Sequence, residues 1–306
     1  MYIANNVLAP NRSSSGSSKG MHTHAALYLC LGILGIAALY LVFAPRFNPV
    51  FYRPLLFHPW RVEHEPIAPP ISGVIGENVY FPSANGKTLN GWYYKNPIAK
   101  FTVLFSHGNG GNVSVRTDLV ELLIRAGASV FIYDYEGYGE SAGKPTVDGI
   151  CDDGIGACNY LISSQNVRPE SLVLYGESLG AAVAAYLTTR FPCKGLILQS
   201  GFSSLRRIAC EVFPLLNIYP DIMYPTPDLN TARILAERHP PLLLIHGTQD
   251  KVIPYEHVQA LYAAASGKKE LVTLNESGHA DLYSTAGDTY TAAVKAFLVS
   301  LDGARN

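Results

Sequence analysis

Residues 171–186 read S-L-V-L-Y-G-E-S-L-G-A-A-V-A-A-Y, and no other stretch limits the fold of this chain so tightly. Leu172, Val173, Leu174 and Tyr175 form a short apolar run of strand formers. Gly176-Glu177-Ser178-Leu179-Gly180 follows, and an alanine-rich helical pattern begins at once. That order is the strand–turn–helix setting of a G-x-S-x-G nucleophile elbow. The serine needs a sharp, strained turn, and small residues two positions either side let strand and helix close on each other. A glycine-rich turn carrying a surface serine would read the same way. The motif therefore needs partners elsewhere.

From about Glu77 onward the pattern alternates. Strands are expected at 78–82, 89–94, 102–106, 129–133, 172–175, 195–199, 242–246 and 270–274. Helices are expected at 115–126, 147–163, 179–190, 258–264 and 290–301. Asn85-Gly86-Lys87 joins the first two strands as a hairpin. Such β-α-β alternation implies an α/β fold: a mostly parallel central sheet with helices on both faces and its site at the strands' carboxyl ends.

An elbow serine needs a base, a carboxylate that orients the base, and donors for an oxyanion. Asp250 stands in a turn directly after the apolar strand that ends at His246. His279 lies in the loop after the last strand, behind Gly278. Both follow the serine in the chain order that this motif requires. Asp281 is the rival acid, although two residues beyond the histidine it is poorly placed; Glu177, in the variable elbow position, reads as structural. The strand 102–106 opens into His107-Gly108-Asn109-Gly110-Gly111-Asn112, a loop of the type that supplies a backbone N–H to an oxyanion. The donors assigned are the amides of Asn109 and Leu179. A phosphate cradle is the competing reading of this loop, and it lacks the lysine and glycine spacing of one.

With these residues in hand, the chain resembles the α/β-hydrolase superfamily. Within it, the chain is similar to the membrane-anchored group related to the fungal bud-emergence hydrolase and the mammalian depalmitoylating hydrolases. The matching features run in order from Leu56-Phe57-His58-Pro59 through Ser106-His107-Gly108-Asn109, Asp134-Tyr135-Glu136-Gly137-Tyr138-Gly139-Glu140-Ser141 and the elbow. Gly247-Thr248-Gln249-Asp250-Lys251-Val252-Ile253-Pro254 and Gly278-His279 complete them. The resemblance implies a serine hydrolase of carboxylic esters or thioesters. The substrate would be a small molecule, a lipid or an acylated protein. An aminopeptidase, or a binding protein that keeps the scaffold without turnover, is the alternative. The depalmitoylating relatives carry a cysteine-rich N-terminus, whereas this chain has Cys30 alone within an apolar run.

The remaining segments set the surroundings of that site. Residues 1–24 are rich in serine and glycine and read as a flexible tail. Residues 25–43 carry no charge and would span roughly 28 Å as a helix, close to a bilayer's hydrocarbon core. A single-pass transmembrane anchor over 25–44 is the expectation, with a signal peptide or a buried helix as alternatives. The proline-rich stretch 45–76 is too apolar for a free linker and should lie on the membrane surface or across the catalytic domain, 77–306. Within that domain, 202–240 is a short, apolar, cap-like insertion, either packed as core or forming an acyl-binding wall. A net charge of −1 argues against nucleic acid as a partner. The five cysteines show no pairing or zinc spacing, His22, His24, His58 and His64 lack companions for a metal, and nothing calls for a cofactor.

Overall fold

In the computed structural model, residues 17–62 and 67–303 are described. Eight strands form one sheet: β1 (Gly76–Pro82), β2 (Thr88–Tyr94), β3 (Thr102–Ser106), β4 (Ser129–Tyr133), β5 (Leu172–Glu177), β6 (Gly195–Gln199), β7 (Leu242–Gly247) and β8 (Lys269–Leu274). Their order is β8-β7-β6-β5-β3-β4-β2-β1. All neighbours run parallel except where β2 meets β1 and β4. The chain steps outward from β3 to β4, then crosses to β5 on the other side of β3. That reversal leaves a crevice at the carboxyl ends of β3 and β5. Register pairs Ser106 with Gly176, so the two strands end level with each other.

The two faces of the sheet follow the period-2 rule. Leu104, Phe131, Leu174, Leu196 and Leu244 point to one core, shared with α4 (Val147–Asn159) and α5 (Leu179–Thr188). Val103, Ile132, Val173, Ile197 and Ile245 point to the other, packed by α3 (Thr117–Arg125) and α9 (Leu282–Gly303). Both faces are covered, which is why these strands read as continuous apolar runs. The sequence places α9 at 290–301; it begins at Leu282, and a non-helical Ala286 (φ −145°) breaks it into two parts. The expected helix 147–163 ends in a π-turn from Tyr160 to Ser164.

The N-terminal region departs from expectation. Instead of a flexible tail up to residue 24, helix α1 (Ser17–Val42) starts within it; residues 1–16 lie outside the described residues. The expected anchor falls in α1. Among the described residues, no helix is long and apolar enough to cross a membrane. A second helix, α2 (Pro49–Leu56), is capped by Asn48, whose side chain accepts from the Val50 N–H at 3.2 Å. Residues 58–59 then pair in parallel with 110–111. The described residues of the connecting stretch, 45–62 and 67–76, thus lie against the domain that follows.

In the cap, α6 (Leu205–Val212) is followed by 3₁₀ turns at Pro214–Ile218 and Asp221–Met223 and by α7 (Thr231–Ala236). After β7 comes α8 (Glu256–Ala264).

One glycine decides how α4 docks. A Cβ on Gly156 would stand 2.4 Å from the Pro82 carbonyl oxygen and 2.7 Å from the Ser83 Cα, both backbone. Gly156→Ala is expected to cost about 1–3 kcal/mol by forcing α4 off the β1–β2 turn. A lowered thermal midpoint would show it.

Candidate active site

The elbow has the strain that its chemistry requires. Ser178 sits at φ 54°, ψ −115°, a region a serine enters only under constraint. The constraint is close backbone contact on both sides. A Cβ on Gly176 would stand 2.1 Å from the Gly180 oxygen, and one on Gly180 would stand 1.9 Å from the Ser106 oxygen. Helix α5 therefore starts pressed against the end of β3. Its first turn and its dipole point at the serine.

The structure brings the three sequence-assigned side chains together. His279 Nε2 lies 3.1 Å from Ser178 Oγ, and His279 Nδ1 lies 2.7 Å from Asp250 Oδ2. The other oxygen of Asp250 accepts the amides of Val252 (2.9 Å) and Ile253 (2.8 Å). Burial works to raise this carboxyl, but hydrogen bonds from His246 and His279 outweigh it and hold Asp250 well below the usual carboxylate range. Asp281 is engaged elsewhere. Its carboxylate accepts the Gly278 N–H at 2.6 Å and so shapes the turn that presents His279. The Asp250 and His279 loops meet because Gly247 lets them: a Cβ there would stand 2.2 Å from the Ser277 oxygen.

The glycine-rich loop after β3 is held by its carbonyls. Tyr135 donates to the His107 oxygen (2.9 Å), and Tyr138 donates to the Asn109 oxygen (2.7 Å). The His58 N–H reaches that same Asn109 oxygen at 2.9 Å, and Arg116 donates to the Gly110 oxygen at 2.9 Å. Burial pushes both phenols up, so they remain neutral donors. With its oxygens tied down on one side, the loop leaves Asn109 beside Ser178 and Leu179 along a shared cavity. His107 is buried and neutral, pulled down to about 3 by that burial and by the Arg116 cation.

Glu177 has a structural part, as expected, with a partner that sequence reasoning missed. Its carboxylate sits 2.5 Å from Arg116 Nε and accepts the Gly108 N–H at 3.2 Å. Burial opposes its charge, yet the Arg116 guanidinium prevails and lowers it. The pair ties elbow to loop. The signal available was weak: Arg116 follows the loop, but nothing in its spacing names Glu177.

Two cavities meet at Ser178. One, of about 230 Å³, is apolar and runs between α6 and the segment after α1; Phe43, Tyr52 and Leu55 face Phe202, Ile208 and Phe213 across it. The second, of about 220 Å³, is mixed in character, with Gly108, Arg116, Asp118, Glu177 and His279 on its border beside Val115, Leu119 and Leu282. The cap therefore walls a pocket. The opposite wall, from residues 43–56, was not foreseen. Among the described residues, no group of three or more His, Cys, Asp or Glu side chains could hold a metal, and the five cysteines are free.

Comparison with known proteins agrees with this fold. A family model described as serine aminopeptidase, S33, matches residues 97–226, and one described as TAP-like protein matches 222–304. The uncharacterized protein YfhR of Escherichia coli is 35% identical over 236 residues, covering 73% of this chain and 81% of that one. The α/β hydrolase domain-containing protein WAV2 of Arabidopsis thaliana is 30% identical over 285 residues, 87% of this chain and 91% of its own length. An uncharacterized membrane protein of Saccharomyces cerevisiae is 31% identical over 215 residues, covering 69% and 75%. Among solved structures, the Pyrococcus furiosus esterase Pf2001 superposes with a TM-score of 0.65 at 20% identity, covering 80% of this chain and 98% of that one.

The lowered Asp250 fixes a pH sign. Its contribution to stability is present above the unfolded carboxylate value, about 3.9, and is lost as pH falls through the lower folded-state value. Asp250→Asn should therefore flatten the acid limb of unfolding free energy against pH, measured by denaturant titrations from pH 7 down to the acid transition. An unchanged limb would contradict this account.

Proposed function

Because this chain belongs to the α/β-hydrolase family, we propose that it is a membrane-anchored serine hydrolase of carboxylic esters or thioesters. The observation that carries the reading is the unbroken hydrogen-bond line from Ser178 through His279 to Asp250. In this mechanism His279 Nε2 takes the hydroxyl proton as Ser178 Oγ attacks the acyl carbonyl. Asp250 holds Nδ1–H and so fixes the imidazole tautomer. The tetrahedral oxyanion is held by the amides of Asn109 and Leu179, each donor worth about 3–4 kcal/mol. His279 returns its proton to the leaving oxygen or sulfur, and the acyl group stays on Ser178. A water that gives its proton to His279 then releases the acid.

The two cavities support a division of labour. The apolar one suits the acyl chain, and the mixed one, which carries Arg116 and Asp118, suits the leaving group, with Ser178 and Asn109 bordering both.

Anchoring is supported by α1, whose described apolar side chains stand in solvent: Leu29 and Ile36 are 66% and 71% exposed. No charge interrupts 25–43. The yeast relative is called a membrane protein.

An aminopeptidase is the second reading, favoured by the description of the family model over 97–226. It needs a free carboxylate to meet the substrate's amine. Glu177, the buried carboxylate beside Ser178, is already committed to Arg116 and Gly108.

Ser178→Ala is expected to abolish turnover of p-nitrophenyl and thioester substrates and covalent labelling by a fluorophosphonate, with the circular dichroism spectrum unchanged. Full esterase activity in that variant would overturn the assignment. Hydrolysis of aminoacyl amides in preference to acyl esters would move the reading to the aminopeptidase.

A further inference from the structure

The rim of the apolar cavity is itself apolar and exposed. Leu215, Ile218 and Ile222 from the cap are 82%, 60% and 69% exposed. Phe47, Val50 and Phe51, from the segment after α1, stand out beside them on the other bank. Single exposed apolar residues are ordinary, but a contiguous set around a cavity mouth marks a binding surface.

The two banks are one unit. The Arg46 N–H donates to the Met223 oxygen (2.8 Å), and Tyr40 donates to the Ile218 oxygen (3.0 Å). Tyr219 donates back to the Tyr40 oxygen at 3.2 Å. Beneath them Ala44, Tyr219 and Tyr224 form a small buried core. The foot of α1 is thereby packed into the cap, and the exposed apolar surface continues from α1 onto the cavity's rim.

The charges on this surface are sparse. No acidic or basic residue falls within 212–220, and Arg46 is the one charged residue within 43–51. Asp221, at the cap's edge, is paired with Arg206 at 2.9 Å. A basic side chain at the border of an apolar rim matches the headgroup level of a lipid surface.

We propose that this rim is a lipid-docking surface, and that acyl chains enter the cavity laterally from the bilayer holding α1. The proposal rests on the hydrolase reading and names the route by which its substrate arrives: an ester or thioester whose chain is dissolved in the membrane. The cavity opens among Phe43, Phe51, Leu55, Val212 and Phe213, so a chain would pass from lipid to Ser178 without crossing water.

The test uses the full chain reconstituted in phosphatidylcholine vesicles. Leu215→Asp combined with Ile222→Asp changes two rim residues that do not line the cavity. Hydrolysis of 4-methylumbelliferyl palmitate dissolved in the same vesicles is expected to fall about tenfold or more, as two large apolar side chains lose their transfer from water. Hydrolysis of soluble 4-methylumbelliferyl butyrate should stay within about twofold of the parent, since neither side chain borders Ser178. Equal turnover of the palmitate ester by variant and parent would overturn the proposal. So would a parent whose rim joins two copies of the chain, seen as a dimer that the variant dissociates with palmitate turnover unchanged.

A readout independent of catalysis is Leu215→Trp in a Trp60→Phe background, read as the difference from that background, where the buried Trp92 still emits. Its fluorescence should be quenched by brominated lipids, and an unquenched signal would refute docking. If the parent hydrolyses no ester and Ser178 takes no label, the hydrolase reading fails, while the quenching result still judges the docking surface.

Discussion

Everything in this site depends on the contact between the start of α5 and the end of β3. Ser178 is driven into positive φ because Gly180 rests against the Ser106 backbone and Gly176 rests against Gly180. That contact does three things at once. It lifts the hydroxyl out of the strand line, aims the first amides of α5 at one point, and fixes the distance from elbow to glycine-rich loop. Side chains of any size at these two glycines would separate the elements that make the site.

The other parts serve this contact from farther away. Tyr135 and Tyr138 hold the loop's carbonyls, while Glu177 and Arg116 clamp loop to elbow with a buried ion pair. A buried charge pair is costly to form and costly to break. Here its geometry includes the Gly108 amide, so the pair sets position as well as charge. Gly247 does for the Asp250 and His279 loops what Gly180 does for Ser178.

How much was legible follows from which interactions are local. The strands 102–106, 129–133 and 195–199 have the bounds their residues suggest, since each is an apolar run closed by a polar or glycine turn. Ser178, Asp250 and His279 could be read because each follows its own strand in a fixed order. The opposite wall of the cavity could not. Residues 43–56 meet a cap more than 140 positions away, and periodicity carries no trace of such contacts. Arg116 was missed for the same reason, its partner lying across the crevice. The early start of α9 was hidden by the break at Ala286, where the apolar pattern lapses before Tyr290 restores it. The tail reading failed at Ser17 because composition favoured a coil where the helix had already begun.

The packing of α1's foot into the cap has a practical side. Phe43 and Pro45 belong to the cavity, and Tyr40 is bonded to the cap in both directions. Cutting away the N-terminal helix would therefore take away packing that seats one wall of the cavity. In this protein the N-terminal helix and the cavity cannot be treated as separable modules.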